Sequence, residues 1–229
     1  MSITEALLRP MLAAAPGRPL ITHYDDDAGT RVELSVATLA NWVAKTANWL
    51  TAEHDVEPGT PIAVQLPPHW QTAGILLGAW WCGAHIVPDP TAAALTFLPP
   101  NGSAPGAPLV AIASLDPMGR DLGPASETLD YIAESRLHPD DYLPLISVPG
   151  NTPALAGSTV DEVLATARTQ ATTLGLTPTS RLLTTQDTTF PTTLLTVLSA
   201  RASLVQITHP DPTKLPTHRT TARTTHQLG

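Results

Sequence analysis

The segment from Pro61 to Pro88 constrains the fold more than any other. Residues 61–66, PIAVQL, form a continuous apolar run, the pattern of a strand buried on both faces. Pro67 and Pro68 end it, because neither carries an N–H for a sheet ladder. Residues 69–82 read as a helix that is apolar nearly all round and therefore central, with Gly83 placed to stop it. Residues 84–88, AHIVP, give the next strand. A strand, a helix and a second strand in this order imply a right-handed crossover in a parallel sheet. The predicted class is α/β, with three α/β/α layers around a mostly parallel sheet.

The pattern recurs. Residues 56–90 and 176–212 each run through a turn, a buried strand, a helix, a strand and a final Pro-Asp-Pro. Pro58 matches Pro178 at an offset of 120, and Ala84 matches Ala202 at an offset of 118. Two similar strand–helix–strand units lying in one sheet is the simplest account. Ahead of them, residues 19–24 and 30–34 flank Asp25-Asp26-Asp27-Ala28-Gly29 and read as a small N-terminal hairpin. Ser35 is a suitable cap for a helix whose apolar face is Val36, Leu39, Val43, Ala47 and Leu50. Trp42 and Trp49 lie on a neighbouring face, as core or as an association surface, and on the second reading a homodimer is possible. Further expectations are a helix over 4–14 broken near Pro10, a flexible stretch over 91–108, a strand at 109–115, a helix over 125–137 and a strand at 143–147. Beyond these come a helix over 159–174, strands at 181–185 and 203–207, and a helix over 191–201. Residues 1–209 are expected as one domain and 210–229, rich in Thr, His and Arg, as an arm.

Charge and composition remove several function classes. At 42% hydrophobic and 14% charged, 229 residues can fill a core. The net charge is −8 and the 12 basic residues form no stripe, so no nucleic-acid partner is expected. The longest apolar run, residues 73–87, falls short of the ~20 residues of a membrane span. Glu5 and Arg9 make a poor signal peptide. A single cysteine, Cys82, precludes an internal disulfide framework and fits a reducing compartment, so the expected location is the cytoplasm. Cys82 lies in an apolar helix and should be inert. The eight histidines are scattered; His209-Pro210-Asp211, the nearest approach to a metal cluster, reads as a loop, and no metal or cofactor is expected.

Residues 145–163, LISVPGNTPALAGSTVDEV, have the layout of a phosphate-binding loop: an apolar run, small residues, then a helix start. The chemistry differs. No lysine is present in it, Pro149 and Pro153 lack donors, and Asp161 and Glu162 occupy the first helical turn, where they repel phosphate. Thr159 with Glu162 makes a capping box. The only lysines in the chain are Lys45 and Lys214.

The order of these segments resembles the N-terminal region of the adenylate-forming superfamily: acyl-CoA synthetases, luciferases and nonribosomal adenylation domains. The resemblance is carried by Val56-Glu57-Pro58-Gly59-Thr60-Pro61-Ile62-Ala63-Val64-Gln65-Leu66-Pro67, by Cys82-Gly83-Ala84-His85-Ile86-Val87-Pro88 and by Leu174-Gly175-Leu176-Thr177-Pro178. Thr60 stands where the family usually has Asp. The resemblance covers about residues 19–90 and 159–208, and the chain is similar to short actinobacterial proteins that look like truncated versions of this region. It implies ATP-dependent activation of a carboxylate, through a lysine-bearing phosphate loop that would fall at Ser147–Thr159. The family's adenine-pocket motif, ribose-binding Asp and C-terminal catalytic Lys would lie beyond the last residue here.

In open α/β sheets, ligands bind beyond the carboxyl ends of the strands. Asp116 and Arg120 should reach that edge, as should His69, Asp89, Asn151 and Asp187. The bland reading of Asp116 and Arg120 is a turn with an ion pair; the sharper one is a remnant ligand or partner site. The expected function is a non-catalytic relative of the adenylate-forming enzymes that binds a protein partner or a small ligand. The alternatives are an acyl-adenylate or acyl-CoA ligase component completed by another chain, and a stand-alone binder of a nucleotide or acyl ligand.

Overall fold

The computed structural model describes residues 1–124 and 128–228. Two short helices, α1 (Ile3–Leu7) and α2 (Arg9–Ala14), lead into β1 (Pro19–Asp25), β2 (Thr30–Ser35) and the long helix α3 (Val36–Glu53). The first unit is β3 (Pro61–Val64), α4 (Trp70–Trp81) and β4 (His85–Val87). A 3-10 turn at Pro90–Ala92 precedes β5 (Leu95–Leu98), β6 (Val110–Ile112), β7 (Leu129–Asp130) and α5 (Tyr131–Ser135). The hairpin β8 (Pro153–Leu155) and β9 (Ser158–Thr159) opens α6 (Val160–Thr173). The second unit, β10 (Arg181–Thr184), α7 (Phe190–Ser199) and β11 (Ser203–Thr208), is followed by α8 (Leu215–Ala222) and β12 (His226–Leu228).

The two similar units do not share a sheet. β3 and β4 sit in a seven-stranded sheet ordered β7-β6-β5-β3-β4-β8-β9, and β10 and β11 in a five-stranded sheet ordered β12-β10-β11-β1-β2. Each sheet is parallel except for one antiparallel edge strand, β9 and β2 respectively. Either unit satisfies the crossover rule by itself, so the rule leaves open which strands pair across units. The N-terminal hairpin forms as expected, and β1 also pairs in parallel with β11 from Ile21↔Leu204 to Asp25↔Thr208.

α4 is the joint between these layers. Every residue from Trp70 to Trp80 is buried, and the helix touches α1, α3, α7, β3 and β4. Its closest crossing is with α3. A Cβ on Gly78 would lie 2.5 Å from Thr46 Cβ and 3.0 Å from the Val43 carbonyl oxygen. Val36, Leu39, Val43, Ala47 and Leu50 all face the core, and Ser35 caps α3 by accepting from the Thr38 amide. Trp42 and Trp49 are packing residues. Trp49 is 1% exposed among the rings of Phe97 and Tyr131, and Trp42 is half-buried against Trp70. The homodimer expectation therefore loses the surface it was drawn from.

Several expectations shift. The first helix breaks at Leu8, and Pro10 falls in the first turn of α2, where its missing N–H costs nothing. The stretch over 91–108 contains β5, four buried residues between β3 and β6. Residues 143–147 form no strand, and Leu143 and Leu145 are exposed. The helix expected over 125–137 reduces to α5 after the short strand β7; residues 125–127 lie outside the described residues.

The segment expected as an arm is docked. β12 adds to the edge of the smaller sheet beside β10. α8 is held at the β1–β2 turn. The Asp26 carboxylate, 4% exposed, lies 2.7 Å from His218 Nε2 and accepts the Asp211 amide, and Lys214 Nζ donates to the Asp26 carbonyl. Replacing Gly78 by Ala should cost about 2–3 kcal/mol through overpacking at the α3–α4 crossing. Gly17→Ala, with open space around it, should be near neutral; equal urea midpoints would remove the crossing as a constraint. Asp26→Ala should cost about 2 kcal/mol, the worth of charged hydrogen bonds. Faster hydrogen exchange at residues 226–228 in that variant would show the docking released, and unchanged exchange would show β12 held independently.

Candidate functional site

The carboxyl ends of strands from both sheets converge on one cavity of about 270 Å3. β1 brings His23 and Asp25, β11 brings Thr208 and His209, and β10 leads to Asp187. From the larger sheet, β3 leads to Pro67, Pro68 and His69, and β6 to Leu115 and Pro117. Register places His23 beside Gln206, and Asp25 beside Thr208.

His69 caps α4: its Nδ1 accepts the Gln71 amide at 3.2 Å. That bond assigns the ring proton to Nε2. Burial, then His23 and against the pull of Asp116 and Asp25, pushes the His69 pKa down to about 3. The His23 ring meets His69 edge-on at 5.0 Å. The Thr208 hydroxyl donates to the Tyr24 carbonyl at 3.3 Å and is 3.0 Å from His23 Nε2, which therefore donates and leaves Nδ1 as an acceptor. Burial pushes the His23 pKa down to about 4, with His209 adding to the shift and Asp25 opposing it. Both imidazoles are neutral at pH 7.

His209 behaves oppositely. Its Nδ1 lies 3.0 Å from Asp25 Oδ1, and that hydrogen bond and charge hold its pKa above the usual value. Burial raises the Asp25 pKa, but the Ala28 amide, His209 and the Asp27 amide outweigh it, so the carboxyl sits below its usual range. His209 and Leu115 both adopt positive φ, +49° and +56°. For residues with a Cβ this backbone costs about 1–2 kcal/mol each, and such strain gathers at ligand sites. The cavity thus offers a neutral donor, a neutral acceptor and a hydrogen-bonded Asp25–His209 pair, and no Lys or Arg among the described residues lines it.

Of the residues singled out from sequence, His69 and Asp187 line this cavity. Asp116 lies just outside it. Its Oδ1 accepts the amides of Met118 and Arg120, which closes the turn after β6. Arg120, 79% exposed, sits 3.6 Å from the Asp116 carboxylate and does not reach the cavity. The turn is seated by Gln71, which accepts from Leu115 N and donates to the Asp116 carbonyl, and by Trp70 Nε1 donating to the Pro117 carbonyl. Asp89 follows β4 and holds the 3-10 turn through Thr91. Asn151 precedes β8, which runs parallel to β4, and so lies at the amino edge of the sheet. Sequence reasoning missed His23, Asp25, Thr208 and His209. Their signal was their place at the ends of two strands, and it needed the β1–β11 pairing to be read.

The loop before α6 is a hairpin, and the first amides of α6 are occupied. Val160 N donates to the Thr152 carbonyl and Asp161 N to the Gly150 carbonyl, each at 2.9 Å. Glu162 N donates to Thr159 Oγ1, and the Glu162 carboxylate accepts the Thr159 amide at 2.9 Å, completing the capping box. A side chain at Gly150 would collide with the Asp161 carboxylate.

This architecture is that of the N-terminal domains of acyl-CoA synthetases. The N-terminal domain of FACL13 from Mycobacterium tuberculosis superposes with a TM-score of 0.72 at 16% identity, over 99% of this chain and 62% of that one. An acyl-CoA synthetase of Brucella canis gives 0.79 at 16% identity, over 99% and 47%. The anthranilate CoA ligase AuaEII, solved with anthranoyl-AMP, gives 0.71 at 14% identity, over 90% and 44%. The chain thus spans about half to three fifths of the length of these solved structures. It is 40% identical over 241 residues to a TIGR03089 family protein of Mycobacterium tuberculosis (strain ATCC 25618 / H37Rv), covering 99% of this chain and 98% of that protein. The chain belongs to the TIGR03089 family. No family model matches it.

The buried histidines set an acid limit on stability. A folded-state pKa below the unfolded value of ~6.5 means that the unfolded chain binds more protons as pH falls, so stability drops from pH 6.5 downward. His23, shifted to about 4, alone contributes ~3 kcal/mol of that loss. His209 has the opposite sign, present below its unfolded pKa and lost as pH rises past the folded one, and its exposure makes it smaller. Urea midpoints measured from pH 7.5 to 4.5 should fall steeply below pH 6.5. His23→Gln should flatten the fall; an unaltered slope would show that His23 is not held neutral.

Proposed function

We propose that this protein is a non-catalytic relative of the adenylate-forming enzymes that binds a small, hydrogen-bonding ligand at the joint carboxyl edge of its two sheets. The supporting observation is the fate of the groups that grip a triphosphate in that chemistry, free backbone amides and a cation. The first amides of α6 are bonded within the hairpin and capping box. Lys45 donates to the carbonyls of Arg136 and His138 and pairs with Asp140 at 2.9 Å, and Lys214 is tied to Asp26. A polyphosphate brought to the cavity would face Asp25 and Asp187, with His209 already paired to Asp25.

A ligand with one acceptor and one donor suits the cavity better. His69 Nε2–H can donate to a carbonyl or hydroxyl, and His23 Nδ1 can accept from a hydroxyl or amide. At about 270 Å3 the cavity lies just under the ~300–1,000 Å3 of sites for drug-sized ligands, so the occupant is small. A cytoplasmic setting fits a lone buried thiol.

Two measurements on the purified protein test this reading. ATP–pyrophosphate exchange with a panel of carboxylic acids should give no turnover, and exchange by the chain alone would overturn the proposal. Exchange that appears only with a second polypeptide would replace it with the component of a split ligase. Thermal shifts should be read with ATP, AMP, a short-chain acyl-CoA and a set of small amides and alcohols. A ligand at 100 times its Kd adds ~2.7 kcal/mol of stability. A small uncharged member should raise the midpoint, His23→Gln should abolish the rise, and Arg120→Ala should leave it intact. Stabilisation by ATP, or by no member of the set, would count against the site.

A further inference from the structure

A cavity larger than the carboxyl-edge one lies elsewhere, where β3 and β4 begin. It measures about 470 Å3 and runs between Thr51, Val56, Pro58 and Cys82 on one side and Tyr142 with the chain after it on the other. Its floor is neutral: burial pushes the Cys82 thiol and the Tyr142 phenol each up to about 12. Its wall is apolar and bare. Leu143 is 84% exposed, Leu145 99% and Ile146 49%, and all three line this groove.

The segment bearing them is anchored upstream and again at buried Val148, whose carbonyl accepts the Met1 amino group, and is unbonded between. Lys45 and Asn48 bind the carbonyls of residues 136, 138, 139 and 141, and the Tyr142 ring packs on Trp81 at 5.4 Å. From Leu143 to Ser147, no hydrogen bond to another described residue is made. An apolar run with free backbone groups is a ready partner for an incoming chain.

Charge selects the occupant. Asp55, Glu57 and Asp141 rim the groove without an ion-pair partner among the described residues, and no Lys or Arg lines it. We propose that this groove docks a segment of a partner protein that is both apolar and basic, with leucine-like side chains over Cys82 and Leu145 and Lys or Arg against the three carboxylates. A second copy of this chain fits poorly, since a two-fold contact would set the carboxylates against themselves on molecules of net charge −8. An anionic membrane meets the same repulsion. A small apolar ligand would fill the groove yet leave the Leu143 and Leu145 tips in water. This site is separate from the carboxyl-edge cavity and does not depend on that reading.

The test uses the full chain and two fluorescein-labelled peptides of one leucine pattern, one with Lys and one with Glu at the polar positions, read by fluorescence anisotropy. The Leu/Lys peptide should bind at least tenfold tighter than the Leu/Glu peptide, and more weakly as salt is raised. Leu145→Ser, a change at a fully exposed side chain, should weaken binding tenfold or more. Asp55→Asn, Glu57→Gln and Asp141→Asn together should erase the preference for Lys, and His23→Gln should have no effect. Equal binding of the two peptides, or wild-type affinity in Leu145→Ser, would overturn the proposal. Sedimentation velocity showing a dimer that Leu145→Ser dissolves would assign the groove to a second copy instead.

Discussion

Parallel pairing of β1 with β11 joins residues more than 180 positions apart, and the site geometry depends on it. It puts His23 and Asp25 beside Gln206 and Thr208, so that a hydroxyl from one strand fixes the tautomer of an imidazole on the other. Side chains tie the two strands at their start as well. Arg18 donates to the Arg201 carbonyl and Ser203 Oγ, and Ser203 Oγ donates back to the Pro19 carbonyl. Contacts of such sequence separation close large loops before they return any free energy, so this sheet should form late in folding.

α4 carries that geometry across to the other sheet. Its N-cap, His69, is delivered to the edge where β1 and β11 end, and its body fills the space between layers. A helix start favours a neutral imidazole over a charged one, and burial acts in the same direction. The same helix holds the turn after β6 through Trp70 and Gln71, so His69 and that turn reach the cavity through one rigid part.

Local patterns were legible where one residue or one period decides. Ser35, Thr159 and Gly83 mark helix ends because a side-chain acceptor or a positive φ is needed there and nowhere else nearby. The all-round apolar pattern of α4 predicted its depth. β5 was hidden because four residues between Pro- and Gly-rich flanks show no period, and its strand state comes from pairing with β3 and β6. Residues 143–147 show the reverse: apolar content without a partner strand leaves the run exposed. Two of the six candidate site residues, His69 and Asp187, came from the strand-end rule applied to strands correctly placed. Asn151 failed with the strand expected before it, and Asp116 and Arg120 satisfy each other within a turn.

The start of α6 is completed by the chain itself. A helix N-terminus has a few free amides, and they can be bonded by the chain's own side chains and carbonyls or held open for an anion, not both. Here Thr159, Gly150 and Thr152 bond them, and Glu162 closes the capping box from the other side. Asp161 lies over Gly150, where an incoming phosphate would need room and positive potential. These bonds stabilise α6 against β8 and β9 without any ligand. A helix start completed internally in this way holds its topology through the chain's own bonds.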